Sequence, residues 1–531
     1  MKVSDLQKKI SDEKIIEICS EIIGEEYARK WSEEKRRKLI DAVRFGISLI
    51  PRIQGVSKEM ENLLAGFKGD YIEPGASGSI IRGKIEVLPT GRNFYSVDPM
   101  SIPTQAAWRV GVKLADELIN AYKKENEGNY PENIGFVEWC IDPFRADGEG
   151  IAQILYTMGT KPIWDENGIV KDVEVIPLEE LGRPRIDCTI RVDGIFRDTM
   201  PNLMELMDKA VRRVASLDEP PEMNFVKKHV EENMKSLLKE CDEKTAFRRA
   251  TYRVFSEKPG AYGAGANLAV FASAWKEKKD LADVWIDWGC YAYGEGIYGH
   301  AAPNELVNLL KSVNITYEKL ESDDFDTLDC CCFFGYHGGF TCAAETISGK
   351  DVRMYFGDTR DPDRPEIRDM KDEIERTVRT RLLNPKWIKG KKQHGYKGAS
   401  DISERVGRVY GWSATTGIIE KWVFDAIADT FVLDEEMRKW FKENNPYALE
   451  EIARRLMEAA ERELWTPDEE MLKKLKEAYL DVEGMIEEKL GEVEGEYQGG
   501  EITVLTKDDV KAWDAKVKDI EKKWKNIPNK Q

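Results

Sequence analysis

A chain of 531 residues is longer than one hydrophobic core organises, so roughly two to four domains are expected. Apolar residues make up 41% and charged residues 34%, a globular composition, and the formal net charge of -18 disfavours phosphate backbones and anionic lipid as partners. No apolar run reaches the roughly 18–20 residues of a membrane span, and the start, MKVSDLQKKISDEK, lacks the apolar stretch of a signal peptide. Nine cysteines without a Cys-x-x-Cys pair point to free thiols in a reducing cytoplasm.

Residues 1–83 read as a helical region followed by a loop: Ile10, Ile15, Ile18, Ile22 and Ile23 recur at helical spacing, then YIEPGASGSIIRG breaks the pattern. Residues 84–220 read as an α/β unit. Lys84–Leu88, Ile134–Trp139 and Ile186–Val192 look like strands, and helices are expected near 103–124, 148–158 and 200–216. That alternation predicts a parallel sheet covered by helices, with PTGRNFYSVDP, CIDPFRADGEG and DGIFRDTMP as loops at the carboxyl ends of strands, where open α/β sheets bind ligands.

Residues 221–365 form a mixed α+β segment, helical over 222–256 and then rich in Gly and aromatics over 257–345, a composition suited to a flat apolar binding surface. Residues 366–485 read as helical, 486–531 as an acidic linker and a terminal helix near 506–525. Two nucleotide-like patterns fail on context. Gly78-Ser-Ile-Ile-Arg-Gly83-Lys84 carries Ile85 where a P-loop needs Ser or Thr, and Gly294-Glu-Gly296-Ile-Tyr-Gly299 is followed by His300 and Pro303 where a Rossmann helix should run.

The densest chemistry is Asp329-Cys330-Cys331-Cys332-Phe333-Phe334-Gly335-Tyr336-His337. Thiolates and imidazole suit borderline-soft ions, but on a strand neighbouring side chains alternate, so at most two of the three cysteines would share a site with His337. The same run also reads as a buried strand with cysteines as small hydrophobes. Of the four histidines, His229 sits in a charged helix and reads as solvated. His300, His337 and His394 lie in glycine- and aromatic-rich segments, where a ring nitrogen either binds metal, moves protons or is satisfied within the core. Glu149, at a strand-to-helix turn, either caps the helix or acts as a base in a desolvated pocket.

Several long stretches carry a resemblance: LPTGRNFYSVDP, GEGIAQILYTMGTKPIWD, ELGRPRIDCTIRVDGIFRDTMP, KPGAYGAG, LDCCCFFGYHGGF and NPKWIKGKKQHGYKGASDI, with WSATT and NPYAL. In this order and approximate spacing, over about residues 60–480, the chain resembles the large-subunit family of ATP-dependent tetrapyrrole chelatases, closer to the cobalt branch than to the magnesium one. The resemblance implies a multidomain α/β body that binds a tetrapyrrole and a divalent metal substrate. ATP is then used by AAA+ motor subunits and not by this chain. Chains of that family are about twice as long, so a separate chain is expected to supply the N-terminal half, unless the protein has a reduced role. Where the family carries Asp-Ser-Asp-Asp-Tyr-Tyr, this chain has Asp329-Cys330-Cys331-Cys332-Phe333-Phe334, which favours cobalt or nickel over magnesium.

The expected roles follow from these matches. Metal falls to Cys331, Cys332 and His337, and proton transfer to Glu149, His337 and His394. Ring contacts fall to Arg92, Asn93, Arg183 and Arg197, whose guanidinium forks suit ring carboxylates, with Trp387 and Tyr396 as cavity walls. The alternative is a non-catalytic tetrapyrrole- or metal-binding protein derived from a chelatase.

Overall fold

The computed structural model describes residues 10–490, apart from 77, 83 and 96 and the side chains of 81, 93–95, 489 and 490. The chain divides into two compact units, up to residue 98 and from 99 onward. The first holds helices Asp12–Ile23, Glu25–Ala28, Glu33–Gln54 and Lys58–Phe67. Ser11 and Ser32 cap two of them by accepting from the backbone N–H of Lys14 and Lys35. Two short strands follow, β1 (Pro74–Ala76) and β2 (Asn93–Tyr95), paired in parallel. The strand expected at Lys84–Leu88 is a 3-10 turn over Ile85–Val87 instead. The N–H groups of Val87 and Leu88 donate back to the carbonyls of Lys84 and Ile85 and so form a turn instead of a ladder.

The second unit is built on one twisted sheet. Its strands in chain order are β3 (Asn133–Glu138), then the separate antiparallel hairpin β4 (Thr160–Trp164) and β5 (Val170–Val175), then β6 (Asp187–Val192), β7 (Val254–Ser256), β8 (Tyr291–Gly294), β9 (Ile297–Ala301), β10 (Ile315–Leu320), β11 (Arg353–Asp358) and β12 (Glu366–Asp369). Across the eight-stranded sheet the order is β12-β11-β10-β3-β6-β7-β8-β9. The five central strands, β11 to β7, are parallel, and antiparallel strands close both sides. β3, β6 and β10 are buried along their whole length, as expected of parallel strands covered on both faces.

The sheet takes β3 and β6 from one side of residue 220 and β7 to β12 from the other, so the α/β unit and the segment after it share one core. The aromatic-rich stretch is likewise more regular than its composition implies. It holds helices Ala266–Phe271, Lys278–Gly289 and Pro303–Leu310 as well as β8, β9 and β10. The three cysteines do not lie on a strand. Cys330 is the extended cap of a continuous helical run of Cys331–Phe333, Phe334–Gly338 and Gly339–Ser348 that connects β10 to β11. The C-terminal part is helical, with Gly395–Thr416 packed on Pro446–Glu461 and the latter on Glu469–Leu490. The terminal helix expected near 506–525 lies outside the described residues, as does all but the start of the acidic linker.

One crossing sets the site's geometry. Helices Gln105–Glu125 and Glu149–Thr157 meet at Gly111, where a Cβ would stand 2.6 Å from both Ala152 Cβ and Gln153 N. Only glycine admits that approach, and it presses the first turn of Glu149–Thr157 against the end of β3. There a Cβ on Gly150 would sit 2.2 Å from Glu138 Oε2.

Candidate functional site

Starting from β3, the chain adds β6 and β7 on one side and then returns to place β10 and β11 on the other. The strand order therefore reverses between β3 and β10, and open α/β sheets bind ligands at the carboxyl ends of strands beside such a reversal. At this point stand Glu138 at the end of β3, Glu318, Lys319 and Glu321 at the end of β10, and Asp142 and Glu149 from the connection after β3. All six are buried.

Lys319 is their centre. Its ammonium lies 2.6 Å from Asp142 Oδ1 and 3.2 Å from Glu149 Oε2. Burial alone would lower the Lys319 pKa, but Asp142, Glu149 and Glu321 outweigh it, and the cation is held. Burial pushes the Glu138 carboxyl well above the usual carboxylate range, and neighbouring Asp142 adds to the rise. Glu321 is raised as well, again by burial first. Asp142 also accepts from the Gly150 N–H at 3.1 Å, which ties the Glu149 helix to the cluster.

Beside it runs a second chain of contacts. The Trp139 indole N–H donates to Glu318 Oε2 at 3.2 Å, and His337 Nδ1 lies 3.4 Å from Glu318 Oε1 while its Nε2 meets Thr316 Oγ1 at 3.1 Å. Trp139, half-buried, stacks edge-on against Phe333 and at a tilt against Tyr336. The Tyr336 hydroxyl donates to Glu257, which follows β7 and is paired with Arg191 at 3.2 Å. Trp139 thus joins this edge to Phe333, which the three cysteines immediately precede.

The cysteine sulfurs lie within 4.8 Å of one another. Among the described residues they are the one group of three His, Cys, Asp or Glu side chains so gathered. Because Cys330 caps the helix from an extended backbone, its sulfur turns back to accept the Cys332 N–H at 3.3 Å, so all three can converge as a strand would not allow. The Asn267 amide donates to Cys331 Sγ at 3.3 Å. Hydrogen bonds from Cys330 and Cys332 push the Cys331 thiol down, and the sharing with Cys331 pushes the other two up. Just upstream, Asp329 is paired with Arg405 and Arg381.

The remaining expected residues divide. Glu149, Cys331 and Cys332 reach the carboxyl edge of the sheet, and His337 is there too, though buried beside Glu318 and outside the thiol group. Arg197 is near but committed: it donates to the carbonyls of Lys258 and Ala261 and pairs with Asp198 at 2.7 Å, fixing the KPGAYGAG loop. Arg183 precedes β6 and so stands at the opposite, amino edge, donating to the carbonyls of Thr157, Pro184 and Tyr156. Trp387 lies under the Arg405 guanidinium at 5.3 Å, joined through Arg405 to Asp329. His394 caps the helix Gly395–Thr416, with Tyr396 exposed on its first turn. Arg92, in the first unit, donates to the carbonyls of Pro89 and Glu86, and the Asn93 side chain lies outside the described residues.

His229 is not solvated. It is 4% exposed at the amino edge, where its Nδ1 meets Asp187 Oδ2 at 2.8 Å and its Nε2 lies 3.4 Å from Glu132. Its helix carries charges outward but turns this one position onto the start of β6. Sequence reasoning also missed Lys319, Glu318, Glu138, Asp142 and Cys330. The available signal was the placement of charges inside the apolar strand runs IGFVEW and ITYEKL, since a charge in a strand buried on both faces must be paired.

Known proteins place this architecture. The model of the CobN/magnesium chelatase family matches residues 3–472, and the chain belongs to that family. An uncharacterized protein of Methanocaldococcus jannaschii is 55% identical over 450 residues, 84% of this chain and 36% of that one. The aerobic cobaltochelatase subunit CobN of a Sinorhizobium species is 40% identical over 411 residues, 77% of this chain and 32% of that one. The catalytic subunit of cobaltochelatase from Mycobacterium tuberculosis superposes with a TM-score of 0.81 at 36% identity, over 89% of this chain and 40% of that one. The chain thus spans about a third of the length of the curated relatives it matches. No helix among the described residues is long and apolar enough to cross a membrane.

Proposed function

We propose that this chain is the ring-binding, metal-inserting body of a chelatase. It would seat a tetrapyrrole at the carboxyl edge of the sheet and accept a divalent metal there, cobalt ahead of nickel and both ahead of magnesium. ATP hydrolysis falls to AAA+ partner subunits. The observation that carries this reading is the coincidence at the β3/β10 reversal of buried carboxyls, a buried cation, the Trp139–Phe333 aromatic pair and a thiol group.

Insertion needs a metal-holding group, an acceptor for two ring N–H protons, and contacts that orient the ring. The thiols suit the first need, because sulfur prefers borderline-soft ions. Glu149 is the acceptor in this reading. Its carboxylate is buried and set against Lys319, whose ammonium it shares with Asp142. The half-buried Trp139 offers an apolar ring surface backed edge-on by Phe333, and His337 positions Glu318 and with it the indole. Arg197 shapes the neighbouring loop, and Trp387 backs Arg405, which holds Asp329.

The test is a Glu149→Gln variant assayed for metal insertion together with its motor subunits. The expected result is a fall of at least about a hundredfold, the usual worth of a positioned acid–base group, with ring binding retained. Full activity in that variant removes Glu149 from the reaction. The thiols that replace acidic residues favour one second reading, a non-catalytic tetrapyrrole- or metal-binding protein. It predicts stable ring or metal binding and no turnover with any motor subunits.

A further inference from the structure

Three features of the cysteine trio go beyond a pair of ligands. The first is convergence: all three sulfurs lie within 4.8 Å of one another. An ion about 2.3 Å from each sulfur needs sulfurs about 3.8 Å apart, a spacing that side-chain rotation about this arrangement reaches. The second is support from a neighbouring element. Asn267, on the helix Ala266–Phe271, donates its amide to Cys331 Sγ at 3.3 Å, the kind of outer contact that orients a ligand. The third is what surrounds the trio. Asp329, the nearest carboxylate in sequence, is bound by Arg405 and Arg381 and is not free to join as a hard oxygen ligand. The thiols themselves are only partly buried, which leaves a way in for an ion.

We propose that Cys330, Cys331 and Cys332 together form a three-sulfur site that holds one thiophilic divalent ion on this chain, with Asn267 positioning Cys331 and the remaining coordination position left open. The site deepens the insertion reading, on which its purpose as a staging point rests, by naming the class of metal. Soft and borderline ions such as cobalt, nickel and zinc are accepted, and magnesium, which demands oxygen ligands and keeps its water, is refused. Loading balances simply: each metal–sulfur bond forms as an S–H bond breaks, and the proton passes to the buffer. Cys330 is the new member. It takes part because it lies at the extended cap and not on the helix, so its sulfur folds back toward the other two.

The test uses the full chain, reduced and metal-free under anaerobic conditions, titrated with cobalt(II) alone. The expected result is a near-ultraviolet sulfur-to-cobalt charge-transfer band that saturates at one equivalent and persists in a large excess of magnesium. Cys330→Ser, Cys331→Ser and Cys332→Ser should each weaken cobalt binding about a hundredfold or more, and Asn267→Ala about tenfold. Cys241→Ser, at a partly buried cysteine elsewhere in the fold, should leave the band unchanged, and circular dichroism confirms that each variant is folded. Absence of the band, its full retention in Cys330→Ser or in the triple serine variant, or its displacement by magnesium overturns the site. A chain that gives the band but metallates no ring keeps this site and loses the insertion reading. A chain that inserts metal without the band does the reverse.

Discussion

Lys319 is one ammonium among four buried carboxyls, Glu138, Asp142, Glu149 and Glu321, and its charge decides how many of them can ionise. A Lys319→Met substitution leaves the acids without a counter-charge. Removing one partner of a buried ion pair costs about 3–5 kcal/mol, so denaturant unfolding at pH 7 should show a loss of that order. The loss should shrink at pH 5, where protonated carboxyls no longer need the cation. A loss independent of pH would mean that the lysine acts by packing alone.

At the opposite edge, Asp187 and His229 give the fold a defined pH response. Burial would raise the Asp187 pKa, but Arg253 and His229 hold it from the ordinary 3.8 down to about 2. A lowered carboxylate pKa stabilises the folded state above the unfolded value and loses that contribution as pH falls through the folded one. Asp187 should therefore contribute about 2 kcal/mol above pH 4 that disappears between about pH 4 and 2. Burial would lower the His229 pKa, but hydrogen bonds to Asp187 and Glu132 outweigh it and raise it above 6.5. That contribution is complete below 6.5 and fades as pH rises through the higher folded value. Unfolding free energies of His229→Gln against pH should lack this alkaline decline and show a smaller acid one. Parallel curves for the two proteins would contradict the pairing.

Among the elements, the helix crossing at Gly111 is the tightest joint under the site. Gly111→Val would drive the helices Gln105–Glu125 and Glu149–Thr157 apart and move Glu149 away from Lys319. Overpacking of this kind costs about 1–3 kcal/mol, and denaturant melts of the variant should show it. Metal insertion should fall more steeply than stability, since the acid cluster loses its register. Unchanged stability would show that the crossing yields at little cost. The elements also show what periodicity could and could not reveal. β3, β6 and the helices that follow them carry clear apolar patterns and stand where sequence places them. Ile85–Val87 carries the residues of a strand, but a strand exists only with a neighbour to bond, and a single sequence does not name neighbours. The cysteine run misled for a related reason. Apolar Phe333 and Phe334 suggest a strand, while the extended backbone at Cys330 starts a helix and brings together three side chains that a strand would separate. Glu149 was legible because it opens a helix in the connection that leaves β3. Lys319 was not, because its strand ends far along the chain and meets β3 only through the fold.

At the scale of the molecule, the sheet gathers residues from 138 to 358 along one carboxyl edge. Family membership was readable from the sequence motifs, whereas the acid cluster, the indole–Glu318 contact and the third cysteine needed the fold. If this edge seats a tetrapyrrole, the chain alone should bind one before any motor subunit or nucleotide is present. The direct measurement is a spectral titration of metal-free rings, a corrin precursor, a sirohydrochlorin-type ring and a protoporphyrin, with the purified chain. The prediction is a saturable shift of at least one ring's absorbance at one ring per chain, diminished when Trp139 is replaced by Ala. Absence of any shift with all three rings would contradict the assignment of this edge as a tetrapyrrole site.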